Sequence, residues 1–187
     1  YSKHSFPFSP PIFSGRILLS QPKRGDVIVF KTPADNRTDY IKRLIGIPGD
    51  EIQFIDGNLY LNGNAILKTI KSKNDKIFCG NQLINVNTYE EKLPTGKVYK
   101  ASYSTSNSYS ESDKFVVPKN HYFFLGDNRD CSKDSRYLSE VGYVHEDNLV
   151  GKAQILFFSS DPSIGSIFKI WQWNKILRFN RFFKKIK

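Results

Sequence analysis

Lys42 and Arg43 stand side by side in DYIKRLIGIPGDEI, residues 39–52, among strand-forming Tyr40, Ile41, Leu44 and Ile45. A lysine in a strand that buries a face is costly, because its ammonium must lose water. Alternation puts Tyr40, Lys42 and Leu44 on one face and Ile41, Arg43 and Ile45 on the other. If the first face is covered, the lysine pKa falls and a neutral amine becomes available near neutral pH. Such an amine can take the proton of a serine hydroxyl, which is the Ser-Lys route to an activated nucleophile. Arg43 stays charged and is suited only to an ion pair. Taken alone, the two cations read more simply as a solvated sheet edge with snorkelling stems.

A second cluster shifts that balance. In LGDNRDCSKDSRY, residues 125–137, Asp127, Arg129, Asp130, Asp134 and Arg136 alternate in sign around Cys131, Ser132 and Ser135. Most clusters of this composition are polar surface loops. This one directly follows the apolar strand Tyr122-Phe123-Phe124-Leu125, where a dense charge network reads as a rigid, braced loop.

PKRGDVIVFK (22–31), DYIKRLIGIPGD (39–50) and GDNRDCSKDSR (126–136), in this order, resemble the conserved boxes of bacterial type I signal peptidases. These are membrane-anchored Ser-Lys endopeptidases that remove signal peptides from exported preproteins. GYVHEDNLVGKA (142–153) extends the resemblance. Each box alone is weak, and RGD by itself is a common tripeptide; three in register are specific. The resemblance implies that Lys42 is the general base and that Ser132 orients it. It implies that Asp127 pairs with Arg43 and Asp134 with Arg136. Asp39, Tyr40 and Ile41 would lie on the strand that pairs with extended substrate, with Ile41 lining a shallow pocket for a small residue before the cut. No cofactor or metal is implied. The implied location is the bacterial inner membrane, with the catalytic domain on its periplasmic face.

Two departures stand out. Cys131 occupies a position where the family commonly has asparagine. The family's serine box, Ser-Met-x-Pro, has no counterpart, since the 187 residues contain no methionine. The expectation is that the chain is a fragment or a processed form, that the nucleophile precedes Tyr1, and that these residues alone are inactive. The alternative reading is a non-catalytic β domain that binds extended peptides or a membrane surface; a self-cleaving repressor-type protease fits the long insertion less well.

The elements that would hold these residues read as antiparallel β. Val27–Lys31 and 38–47 are strands; Ile47-Pro48-Gly49-Asp50 has the Pro-Gly centre of a type II turn. Glu51–Ile55 and 59–61 flank Asp56-Gly57, a hairpin signal, and Asn62-Gly63 marks a further turn. His121–Leu125, residues 142–144 and residues 153–159 complete the pattern. The sequence thus predicts a mainly β protein with a barrel-like antiparallel core, in four parts: core residues 1–65, a variable β-rich insertion 66–114, core residues 115–160, and a basic aromatic tail 161–187. Serine at every second position from Ser102 to Ser112 reads as a mobile loop.

Composition bounds the partners. Apolar residues make up 39%, enough for one core, and the formal net charge is +10. Seven cations and no acid fall within residues 166–187, beside Trp171, Trp173, Phe179, Phe182 and Phe183. Ile176, Phe179, Phe183 and Ile186 share one side at helical spacing. An anionic membrane surface suits this tail as well as docking on the core does; nucleic acid is disfavoured, because no nucleic-acid module accompanies the charge. No apolar run reaches the length of a membrane span. Two cysteines, Cys79 and Cys131, read as free thiols, and three scattered histidines form no metal-ligand pattern.

Overall fold

The computed structural model describes residues 21–106, 108–156 and 183–186. The chain divides into two compact units at Lys152/Ala153. In the first, a five-stranded antiparallel sheet carries the lysine strand. It is built from β1 (Val27–Lys31), β2 (Asp39–Gly46), β10 (His121–Leu125), β11 (Val144–His145) and β12 (Leu149–Lys152), in the spatial order β11-β10-β2-β1-β12. A second sheet, in the order β5-β4-β3-β9, uses β3 (Glu51–Ile55), β4 (Asn58–Leu61), β5 (Asn64–Ala65) and β9 (Phe115–Val116). A third is the meander β6 (Leu67–Cys79), β7 (Gln82–Lys92) and β8 (Val98–Ser104). The architecture is mainly β and antiparallel, as the sequence indicates; among the described residues no sheet closes on itself into a complete barrel.

Turn chemistry fixes the registers. The Asp50 N–H donates to the Ile47 carbonyl at 3.0 Å, and Gly49 sits at φ 88°, the position in a type II turn where an L side chain would be strained. Asp56 and Gly57, at φ 48° and 68°, make the two-residue turn between β3 and β4 that matches strand twist. Alternation then buries one face of each strand. Ile28, Phe30 and Leu44 join Tyr122, Phe124, Val144 and Leu149 in one core cluster; Ile45, Ile52, Phe54 and Phe123 belong to another.

That second cluster also contains Leu93, Tyr99, Ala101 and Tyr103 from the meander, so residues 66–114 share a core with the sheets on either side of them in sequence. The serine-rich segment is not free of the sheet. The Phe54 N–H donates to Ser112 Oγ at 2.9 Å and the Gly57 N–H to the Ser110 carbonyl at 2.9 Å, along the β3 edge beyond β9. Its polar composition reads as a loop, but hydroxyls and carbonyls of this stretch satisfy backbone donors that β9 is too short to reach.

The cysteines are a correction. Cys79 and Cys131 form a disulfide, with Cα atoms 5.5 Å apart across 52 positions of sequence. A count of two could not reveal this. The pairing depends on β6 and β7 reaching far enough to bring the hairpin tip onto the loop after β10.

In the second unit, β13 (Ile155–Leu156) pairs antiparallel with β14 (Lys184–Lys185). The helical spacing read across Ile176–Ile186 is therefore not helix at its described end, where the β13 edge supplies ladder partners instead. Residues 1–20, residues 157–159 of the last expected strand, and the tryptophans and central phenylalanines of the tail lie outside the described residues. Among the described residues, no helix is long and apolar enough to cross a membrane.

Candidate active site

β2 is half covered. Along one edge it pairs with β1, from Val27 opposite Arg43 to Lys31 opposite Asp39. Along the other, β10 pairs only with Arg43, Leu44 and Gly46. Among the described residues, no strand covers that second edge at Asp39–Ile41. Burial follows the same division: Ile41 is 53% exposed, whereas Arg43 to Ile45 are buried.

Lys42 sits at the step between the two halves. Its ammonium lies 5.4 Å from the centre of the Tyr40 ring and donates to Ser132 Oγ at 2.6 Å. Burial pushes the Lys42 pKa below its ordinary value; Asp134 opposes this, Arg136 reinforces it, and Asp127 opposes it again. Desolvation wins because each carboxylate that would hold the proton is itself held by an arginine.

Arg43, the neighbour on the opposite face, is buried. Its Nε and Nη2 donate to the two Asp127 oxygens at 2.8 and 2.7 Å, and Nη1 donates to the Gly25 carbonyl at 2.8 Å. The guanidinium lies 4.4 Å from the Tyr99 ring centre. One side chain thereby joins the RGD turn, the lysine strand, the GDNRD loop and the meander; the planar fork suits such bidentate, stacked sites.

Ser132 is 8% exposed and lies against Gly126, where a Cβ would fall 2.0 Å from its Oγ. The glycine is thus required by contact with the serine rather than by backbone conformation. Asp134, fully buried, accepts from the Gly126 N–H at 2.9 Å and from Arg136 Nε at 2.8 Å and Nη2 at 2.9 Å. Arg136 also donates to the Arg129 carbonyl, closing the loop on itself. Ser135 exchanges two bonds with Phe124: Phe124 N–H to Ser135 Oγ at 2.9 Å and Ser135 N–H to the Phe124 carbonyl at 3.0 Å. All the residues named from sequence, Asp39 to Arg43 and Asp127, Ser132, Asp134 and Arg136, fall on β2 and this one loop.

Sequence reasoning missed what lies beneath. Glu91 on β7 is 1% exposed and takes Arg129 Nη1 and Nη2 at 3.0 and 2.6 Å, with the Tyr99 hydroxyl donating at 2.6 Å and the Tyr103 hydroxyl as a further donor. Burial pushes the Glu91 pKa up; Arg129 and the two hydroxyls more than offset this and hold the carboxyl below its ordinary value. The signal was there in Tyr89-Glu90-Glu91, since strand alternation must turn one of two adjacent glutamates inward. Among the described residues, no group of three or more His, Cys, Asp or Glu side chains is placed to hold a metal ion.

An antiparallel β core that presents a partly desolvated lysine beside a free strand edge is an arrangement suited to peptide-bond chemistry. The sequence model of the family described as signal peptidase, peptidase S26 matches residues 6–158, and the chain belongs to that family. It is similar to the signal peptidase I of Rickettsia prowazekii, 40% identical over 204 residues covering all of this chain and 75% of the relative. It is likewise 39% identical to signal peptidase I of Rickettsia typhi, over all of this chain and 75% of the relative. Among solved structures, a signal peptidase I from Enterococcus faecalis V583 matches with a TM-score of 0.45 and 26% identity, covering 72% of this chain and 97% of that one.

Proposed function

We propose that this protein removes N-terminal signal peptides from exported preproteins by Ser-Lys chemistry, with Lys42 as the general base. The observation that carries the reading is the half-buried Lys42 ammonium on Ser132 Oγ at 2.6 Å, beside the uncovered edge of Asp39–Ile41. An extended substrate adds as a strand along Asp39, Tyr40 and Ile41, so main-chain bonds supply affinity and side-chain pockets supply selectivity. Neutral Lys42 takes the proton of the attacking serine as its oxygen bonds to the scissile carbonyl carbon. The resulting ammonium gives that proton to the leaving amine as the C–N bond breaks, which leaves an acyl-enzyme. Lys42, neutral again, takes a proton from water as the water oxygen bonds to the acyl carbon, and returns it to the serine oxygen as the ester bond breaks. The signal peptide leaves as a carboxylic acid that ionises in solvent, and the hydroxyl and neutral amine are restored.

Ser132 serves this cycle by orienting the amine. Its hydroxyl accepts from the Lys42 ammonium and lies against Gly126, and the family resemblance assigns the attack to another serine, ahead of Tyr1. Arg43, Asp127, Asp134 and Arg136 hold the loop and strand in place. The protein works at a bacterial inner membrane, with its catalytic side outward, and the cationic aromatic tail rests on anionic lipid.

The deciding experiment is Lys42→Ala in the full-length protein, assayed for preprotein cleavage. Removal of a general base at such a site is expected to cost roughly 10²-fold or more in kcat with folding intact. Retained turnover would overturn the assignment. Cleavage by residues 1–187 alone would instead make Ser132 the first candidate for the nucleophile.

A further inference from the structure

The GDNRD loop is tied by backbone hydrogen bonds at both ends but not in its middle. Ahead of Cys131 it is tied to the meander: the Ser102 N–H donates to the Asp127 carbonyl at 2.8 Å, and the Arg129 N–H to the Ser102 carbonyl at 2.9 Å. The Asp130 carboxylate accepts from the Ser104 N–H at 2.7 Å and the Tyr109 N–H at 2.8 Å. Behind Lys133 it is tied to β10 through Asp134 and Ser135. Among the described residues, the backbone groups of Cys131, Ser132 and Lys133 make no hydrogen bond in these ladders and turns. What fixes this span is side chains: the exposed Lys133–Glu140 ion pair, the Ser132–Lys42 bond with the packing of Ser132 on Gly126, and the Cys131 disulfide. An exposed ion pair holds little. The covalent bond is therefore the one strong restraint on the residue next to Ser132.

Its other end is the tip of the insertion. Cys79 closes the β6–β7 hairpin opposite Gln82, with Gly80 at φ 60° in the turn. We infer that Cys79 is a positioning residue for the catalytic lysine: through Cys131 it holds Ser132 Oγ against Lys42 and keeps the amine in its partly dry setting. This rests on the reading of Lys42 as general base. When the bond is cut, the middle of the loop gains freedom, Ser132 spends less time on the amine, and water reaches Lys42. The lysine pKa then rises toward its ordinary value, and less of it is neutral at a given pH.

The test is the pH profile of kcat/KM for the full-length protein, oxidised, after treatment with dithiothreitol, and as Cys79→Ala. The dithiol donates two electrons and two protons: the S–S bond opens to two thiols, and the reagent becomes a cyclic disulfide. Both changes are expected to move the acid limb alkaline by about one pH unit, a loss of about tenfold at pH values below it. KM should stay nearly constant, and reoxidation should restore the wild-type curve. Dithiothreitol should leave the Cys79→Ala profile unchanged.

A bond that merely stabilises the fold would lower the melting temperature and leave the limb where it was; that result, in either the reduced or the Cys79→Ala protein, overturns the inference. Should Lys42→Ala still cleave, the general-base reading falls instead. An intact lysine requirement with superimposable oxidised and reduced profiles rejects the role of Cys79 alone.

Discussion

At the scale of single residues, the site depends on contacts that leave no slack. Gly126→Ala would set a methyl 2.0 Å from Ser132 Oγ and 2.3 Å from its Cβ. Overpacking of this kind costs about 1–3 kcal/mol, and here the relief is to push Ser132 off the lysine. The expected result is a fall in kcat with KM little changed, read by steady-state cleavage beside a thermal melt. Lys42 itself links function to stability. The folded pKa lies below the ordinary 10.5, so between the two values the unfolded chain binds more protons. Its contribution to stability is least favourable below the folded pKa and improves as pH rises toward 10.5. Lys42→Met, similar in length and uncharged, is expected to raise Tm at pH 7, flatten that rise, and abolish turnover. A Tm unchanged or lowered at pH 7 would show that the ammonium is not desolvated.

At the scale of elements, the buried Glu91–Arg129 pair joins β7 to the loop after β10. Glu91→Ala would leave the Arg129 guanidinium buried without its acid, a loss of about 3–5 kcal/mol, measurable by denaturant unfolding. The folded pKa of Glu91 lies below 4.5, so its contribution is present above about pH 4.5 and lost as pH falls through the folded value. Glu91→Gln should accordingly flatten the acid decline of Tm, which a scan downward from neutral pH would show. Legibility in the sequence divided at this scale. Val27–Lys31, Glu51–Ile55 and His121–Leu125 could be read because alternation and tight turns are local, and the Lys42–Ser132, Arg43–Asp127 and Arg136–Asp134 contacts because they fall in two short, distinctive boxes. Glu91 and the Cys79–Cys131 bond could not be read, because both depend on where a thirteen-residue strand delivers its far end. Lys184–Lys185 escaped for a related reason: helical spacing over a few residues cannot register a ladder partner almost thirty positions away.

At the scale of the whole molecule, charge and topology set the environment in which the site works. The cations of residues 166–187 should make binding to anionic vesicles depend on the tail and weaken with salt. Co-sedimentation with phosphatidylglycerol liposomes, with and without residues 161–187, is expected to show most of the binding lost on deletion; equal binding would remove lipid from the list of partners. The bare rung at Asp39–Ile41 has a further consequence. On the proposed function, a margin that receives a guest chain by its backbone alone could not tell a preprotein from any other straightened peptide. An uncleavable β-strand mimic with an alanine-sized residue at the junction should lodge there and block turnover competitively. In concentrated solutions without such a guest, neighbouring molecules are offered the same berth, and self-pairing through it is the form of aggregation to anticipate.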